Sequence, residues 1–277
     1  MKRFAILLTV LAALAACIGA ITLNFPSDSY PHTSLSHHPP VPNANSNDPP
    51  ATLQDDPNRP REVRENPFRA GAVLLGAGFD VVRAAVQIPI LHFAPGANQT
   101  KQHALSAWIG LDGESTCPHT FLRVGVDMFL SKTGPAYLPW FGWYPNNVHH
   151  ITFLDPQPGD WLDLSIHATN LTFAWLSITN RRTNVTGQAT AENHPTLMCG
   201  FNALWMVQDL WSSQGVPLPN FGTMLFSEVQ AQTVMRVARG VEDAYLEAVR
   251  ERDGQLAVTC EKLGEEMLWF KYQGGHP

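Results

Sequence analysis

Beyond Pro67 the chain alternates apolar and polar positions with a period of two. In "TFLRVGVDMFL" (120–130), Leu122, Val124, Val126 and Met128 fall on one face of an extended segment, and Phe121, Arg123, Gly125, Asp127 and Phe129 on the other. The first face reads as core, the second as an aromatic-edged groove with an arginine in its middle. Six further runs predict strands: "LSAWIGLDG" (105–113), "HHITFLD" (149–155), "WLDLSIHAT" (161–169), "LTFAWLSITN" (171–180), "LAVTC" (256–260) and "EMLWFKY" (266–272). Between them "DPQPGD", "NRRTNVTG", "RDG" and "KLGE" carry turn chemistry. Strands at this spacing predict an all-β sandwich or barrel. The segment 227–252, rich in Ala, Glu and Arg, is ambiguous between helix and strand.

The pattern is absent before Pro67. Ten prolines between Phe25 and Pro67, with many Ser, Asn and Asp, leave too little apolar surface to fold, so residues 21–61 are expected to form a disordered Pro-rich linker or pro-segment. Residues 1–20 have the basic start, apolar stretch and small residues of a secretory signal. The expected layout is therefore signal, linker, one folded unit over 62–272 and a short tail over 273–277. "LAAC" at 14–17 also fits a bacterial lipoprotein signal that would lipidate Cys17. The sequons at Asn98, Asn170 and Asn184 suit a eukaryotic secretory route and predict glycosylation. No transmembrane segment is expected once the signal is removed.

Composition narrows the function classes. With 277 residues and 44% hydrophobic content, the chain can bury a sizeable core. A net charge of −6 gives no basic footprint, which argues against a nucleic-acid partner. No P-loop, dinucleotide fingerprint, HExxH, CxxC pair or G-x-S-x-G elbow is present, so neither a cofactor nor a metal is expected. His149 and His150 would point to opposite faces of a strand, which makes them poor co-ligands. With the signal removed, Cys117, Cys199 and Cys260 remain, and secretion permits any one of three pairings.

Several motifs in order, "SAWIGLDG", "STC", "FLRVGVD", "WFGWYPNN", "GDWLDLSIHATN" and "CGFNALWMVQDL", resemble those of the glutamic peptidases, or eqolisins, over roughly residues 62–272. That resemblance implies a concanavalin-like β-sandwich of two antiparallel sheets and the activity of a secreted acid endopeptidase. It also implies a disulfide between Cys117 and Cys199, leaving Cys260 as a buried strand thiol. Such a bridge could stabilise by ~4 kcal/mol.

The departures concern the chemistry. Arg123 stands where the family carries its catalytic glutamine, and Leu204 where it carries its catalytic glutamate; Gly142 replaces a third acid. In the mechanism that the resemblance implies, the glutamate activates a water and the glutamine amide stabilises the oxyanion. Leucine has no titratable proton, whereas arginine is still a donor. The expectation is an inactive, monomeric relative that keeps a groove lined by Trp108, Asp112, Asp127, Trp140, Trp143 and Tyr144 for a peptide or a glycan. The alternatives are an acid endopeptidase using a substitute acid such as Asp112, and a structural cell-surface glycoprotein. An ion pair or water link from Arg123 to Asp112 or Asp127 is also expected, because a half-buried guanidinium needs a partner.

Overall fold

A computed structural model describes residues 21–24, 63–114, 116–146, 148–192, 196–211, 214–250 and 254–274, the first of these by backbone alone. The expected signal and nearly all of the expected linker lie outside the described residues. Ile21–Asn24 (β1) is the exception: read as the start of the linker, it instead pairs parallel with Gly187–Thr190.

The strands in chain order are β2 (Arg64–Asn66), β3 (Arg69–Leu75), β4 (Phe79–Gln87), β5 (His103–Asp112), β6 (Phe121–Ser131), β7 (Gly134–Tyr144), β8 (His149–His150) and β9 (Trp161–Asn170). They continue as β10 (Phe173–Asn180), β11 (Val185–Glu192), β12 (Asn202–Asp209), β13 (Thr223–Thr233), β14 (Ala238–Arg239), β15 (Tyr245–Arg250), β16 (Leu256–Lys262) and β17 (Met267–Tyr272). No α-helix occurs among the described residues. The ambiguous stretch 227–252 resolves into β13 to β15. β13 is hydrogen-bonded between β4 and β17, and β15 between β3 and β16, so pairing on both sides outweighs local helix propensity. The expected strand at 149–155 shrinks to His149–His150, with turn structure following.

Antiparallel pairing builds two layers. The first runs β8–β7–β6–β5–β12–β3–β15. The second runs β11–β10–β9–β4–β13–β17–β16. The β15–β16 ladder joins their edges. Between the layers lies the main core. From β6 come Leu122, Val124, Val126 and Met128, as the alternation predicts, and Leu105, Ala107, Ile109 and Leu111 come from β5. Ala203, Trp205 and Val207 of β12 meet them there. Cys260 is a free, buried thiol of this core, and burial pushes its pKa up. Because the period is two, every alternate residue of the first layer faces the opposite way, and those residues form the face on which Arg123 and Leu204 stand.

Candidate functional site

Register fixes who shares this outer face. Leu204 lies opposite Gly110, and Gly110 opposite Arg123, so the two side chains stand across a glycine, roughly 10 Å apart at two strand spacings. Their row extends to Val73 and Tyr245 on one side and Gly142 on the other. Met206, Trp108, Gly125, Trp140 and His150 form the next row. Gly125 is required here by space: a Cβ would lie 2.5 Å from Trp108 Cβ and 2.6 Å from the Ala107 carbonyl oxygen. Its absence lets the indoles of Trp108 and Trp140 approach over the strand.

The large side chains on this face close over it. Val73, Trp108, Phe121, Trp140, Leu204 and Met206 form an apolar cluster of their own, all at 2% exposure or less, with Tyr144, Val148 and Tyr245 packed partly exposed at its margin. Trp108 and Phe121 meet edge to face with centroids 5.1 Å apart, and the Trp108 indole N–H donates to Gln208 Oε1 at 3.0 Å. The expected open aromatic groove is therefore corrected. Trp108 and Trp140 are on the right face but enclosed, and only Tyr144 of the expected aromatics is partly exposed there. Trp143 is not on this face: it belongs to the main core, and its indole N–H donates to Thr120 Oγ1 at 2.8 Å. Neighbours in a strand point to opposite faces, so Trp140 and Trp143 cannot both line one groove.

Arg123 is 4% exposed, and its guanidinium carbon lies 4.8 Å from the Phe121 ring centroid and 5.5 Å from that of Trp140. The buried Nε has no acceptor, and no hydrogen bond or ion pair joins Arg123 to a described residue. Burial lowers its pKa to about 10, against the opposing influence of the Asp127 carboxylate and Tyr144. The expected direct ion pair from Arg123 to Asp112 or Asp127 is thus corrected. Asp127 acts on Arg123 only through space, and its Oδ2 accepts the His150 Nε2–H bond at 2.9 Å. Asp112 is fully buried and accepts the backbone N–H groups of Cys199, Gly200 and Phe201 at 2.7, 3.1 and 2.9 Å. With φ of 68°, in the left-handed region that Asp tolerates, it is a structural clamp. The same contacts engage both carboxylate oxygens of Asp112 with backbone donors and hold the side chain on the Cys199–Phe201 segment.

The clamp holds the segment that carries the expected disulfide, and Cys117 and Cys199 are indeed bonded, with Cα atoms 6.3 Å apart. Beside it, Glu114 meets Arg69 and Tyr245. Arg69 Nε donates to Glu247 Oε2 at 2.6 Å, a second guanidinium nitrogen pairs with Glu114, and the Tyr245 hydroxyl donates to Glu114 Oε2 at 3.2 Å. Burial raises the Glu114 pKa, opposed by Arg69. Arg64 stacks over the Tyr245 ring at 3.9 Å.

Residues 67–272 match the model of the Peptidase A4 family. The chain belongs to that family. It is 25% identical over 217 residues to aspergillopepsin-2 of Aspergillus niger, covering 72% of this chain and 75% of that protein. Scytalidopepsin B of Scytalidium lignicola is 29% identical over 140 residues, half of each chain. Among solved structures, scytalido-glutamic peptidase with a transition-state analog inhibitor superposes with a TM-score of 0.64 at 24% identity, covering 75% of this chain and 98% of that one. Aspergilloglutamic peptidase from Aspergillus niger gives 0.55 at 24% identity, covering 61% and 99%. The likeness to these structures carries the fold: the all-β, two-layered architecture is that of the family.

Within this Peptidase A4 domain the face brings together Arg123, Leu204, Trp108, Asp127, Trp140 and Tyr144, and leaves Trp143 and the carboxylate of Asp112 in other work. The asparagines Asn98, Asn170 and Asn184 are all exposed, as glycan attachment requires. The Arg69, Glu114, Tyr245 and Glu247 network was not anticipated from sequence. One signal for it exists: in "YLEAV", Tyr245 and Glu247 share a face once the segment is taken as a strand.

Proposed function

We propose that this Peptidase A4 protein is a non-hydrolytic member that binds peptide on its outer face. The observation that carries the reading is the row Arg123, Gly110, Leu204: where the family resemblance sets an amide and a general base, there stand a buried guanidinium and a fully buried leucine. A leucine neither accepts nor releases a proton, and a lost general base lowers rate by ~10²–10⁴. Nearby carboxylates are engaged elsewhere: Asp112 by three backbone N–H groups, Asp127 by His150, and Glu114 by Arg69 and Tyr245. Peptide is favoured over glycan because the face is a predominantly apolar row of strands with few hydroxyl-matching groups.

The test is casein cleavage from pH 2 to 6 by the full chain beside the Arg123→Gln, Leu204→Glu double variant, with circular dichroism verifying that both are folded. No cleavage by the wild type is expected. Wild-type cleavage that survives removal of contaminating peptidases would overturn the reading. Cleavage by the double variant alone would show that the scaffold is competent and that these two positions withhold the chemistry.

A further inference from the structure

Among the described residues Arg123 is a donor group without an acceptor. A guanidinium offers five N–H donors in a rigid fork and keeps its charge at physiological pH. The residue is 4% exposed, its Nε is enclosed without a partner, and the ring faces of Phe121 and Trp140 attract the cation without accepting a forked pair of hydrogen bonds. The surrounding carboxylates have other contacts. His150 Nε2–H occupies Asp127 Oδ2, and the Cys199, Gly200 and Phe201 amides occupy Asp112. On the side of Leu204 the neighbours are Val73, Met206 and Trp108, none of which accepts from the fork. The partly exposed members of the cluster, Tyr144, Val148 and Tyr245, form the margin past which a ligand would enter.

We propose that Arg123 is a carboxylate receptor, and that the carboxylate belongs to the bound peptide. The proposal rests on the peptide-binding reading above and goes beyond it by naming the group that is recognised. A carboxylate presents two coplanar acceptors at the spacing of the guanidinium fork and a single charge. That matches one arginine among apolar neighbours, whereas a phosphate would bring further charge and acceptors that Val73, Leu204 and Met206 do not meet. The apolar cluster that already encloses Arg123 would keep water from the pair and strengthen it.

Two sources of the carboxylate, an acidic side chain and a free C-terminus, are separated by the experiment. In the ¹⁵N-labelled full chain, the Arg123 Nε–Hε resonance is followed during titration with acetate and with acetamide. A saturable shift with acetate alone is expected, lost in Arg123→Gln. Equal responses to both, or none to either, would overturn the receptor. Affinities are then measured for acetyl-Ala-Leu-Glu-Leu-Ala-amide, its Gln isostere, and the free acid of the Gln peptide. One acidic peptide is expected to bind at least ~10-fold more tightly than the neutral amide. That preference should vanish in Arg123→Gln and weaken in Arg123→Lys, which keeps the charge but loses the fork. If the three peptides bind equally, carboxylate recognition is overturned and peptide binding stands. If acetate shifts the resonance and no peptide binds, the receptor is supported and the peptide-binding reading falls.

Discussion

Two arginines are buried on the first layer, three strands apart, and the fold treats them in opposite ways. Arg69 on β3 is enclosed by Glu247 and Glu114, whose charges more than offset burial and push its pKa up. Arg123 on β6 is equally enclosed but rests on two aromatic rings, and burial draws its pKa down to about 10. A guanidinium with two carboxylates is part of the structure. One with none is a cost to the structure that function must justify. The contrast separates a structural charge from a recognition charge on physical grounds, with no appeal to sequence alone.

The comparison is most exposed to failure at Arg69. Replacing it by Met leaves Glu114 and Glu247 buried beside each other without their cation, and the loss of one member of a buried pair typically costs ~3–5 kcal/mol. Urea unfolding of Arg69→Met is expected to show a loss of that size. Arg123→Met should move the other way, because it removes an unpaired buried charge and fills the space with an apolar chain. A gain of about 1–2 kcal/mol is expected by the same measurement. If Arg123→Met is as destabilising as Arg69→Met, the two arginines are alike after all and the receptor assignment loses its main support.

How much of this was legible in the sequence follows from range. The two faces of β6 could be read because alternation is local: Leu122 to Met128 entered the core and Phe121 to Asp127 the outer face, as the period requires. The Cys117–Cys199 bridge spans 82 residues and came only through the resemblance. Partners set by three-dimensional register were beyond reach. Arg69 and Glu247 are 178 residues apart, and nothing local marks them as a pair. Asp112 was out of reach for a related reason: its three donors arrive from residues 199–201, far along the chain. The openness of the groove was misjudged because alternation gives the direction of a side chain and says nothing of what covers it. Glycines such as Gly125 let Trp108 and Trp140 fold down over the strands, and that effect depends on neighbours across the sheet.

The smallest expected effect concerns the proton on Glu114. Burial is the largest influence on this carboxyl and raises its pKa above the ordinary value of 4.5; the Glu247 charge adds to the rise, while Arg69 and the hydrogen bonds from Arg69 and Tyr245 oppose it. A carboxyl whose pKa is higher folded than unfolded holds a proton in the folded state that the unfolded chain has already released. Stability attributable to Glu114 therefore increases as pH falls through the raised value, and levels off below the unfolded one. Other acids run the opposite way, including Asp160. Burial would raise its pKa, but Arg182, the Gln157 amide and Asn180 together outweigh burial and lower it. The informative quantity is accordingly the difference between wild type and Glu114→Gln, measured by urea unfolding from pH 7 down to pH 4. One proton can contribute at most ~1.4 kcal/mol per pH unit, and the wild type should gain on the variant by less than this on acidification. Parallel curves would mean that the Arg69 network holds Glu114 fully ionised throughout, which would make the partnered cluster stronger than its burial suggests. A gain confined to the wild type would show that Glu114 takes up a proton on acidification even though Arg69 is its neighbour.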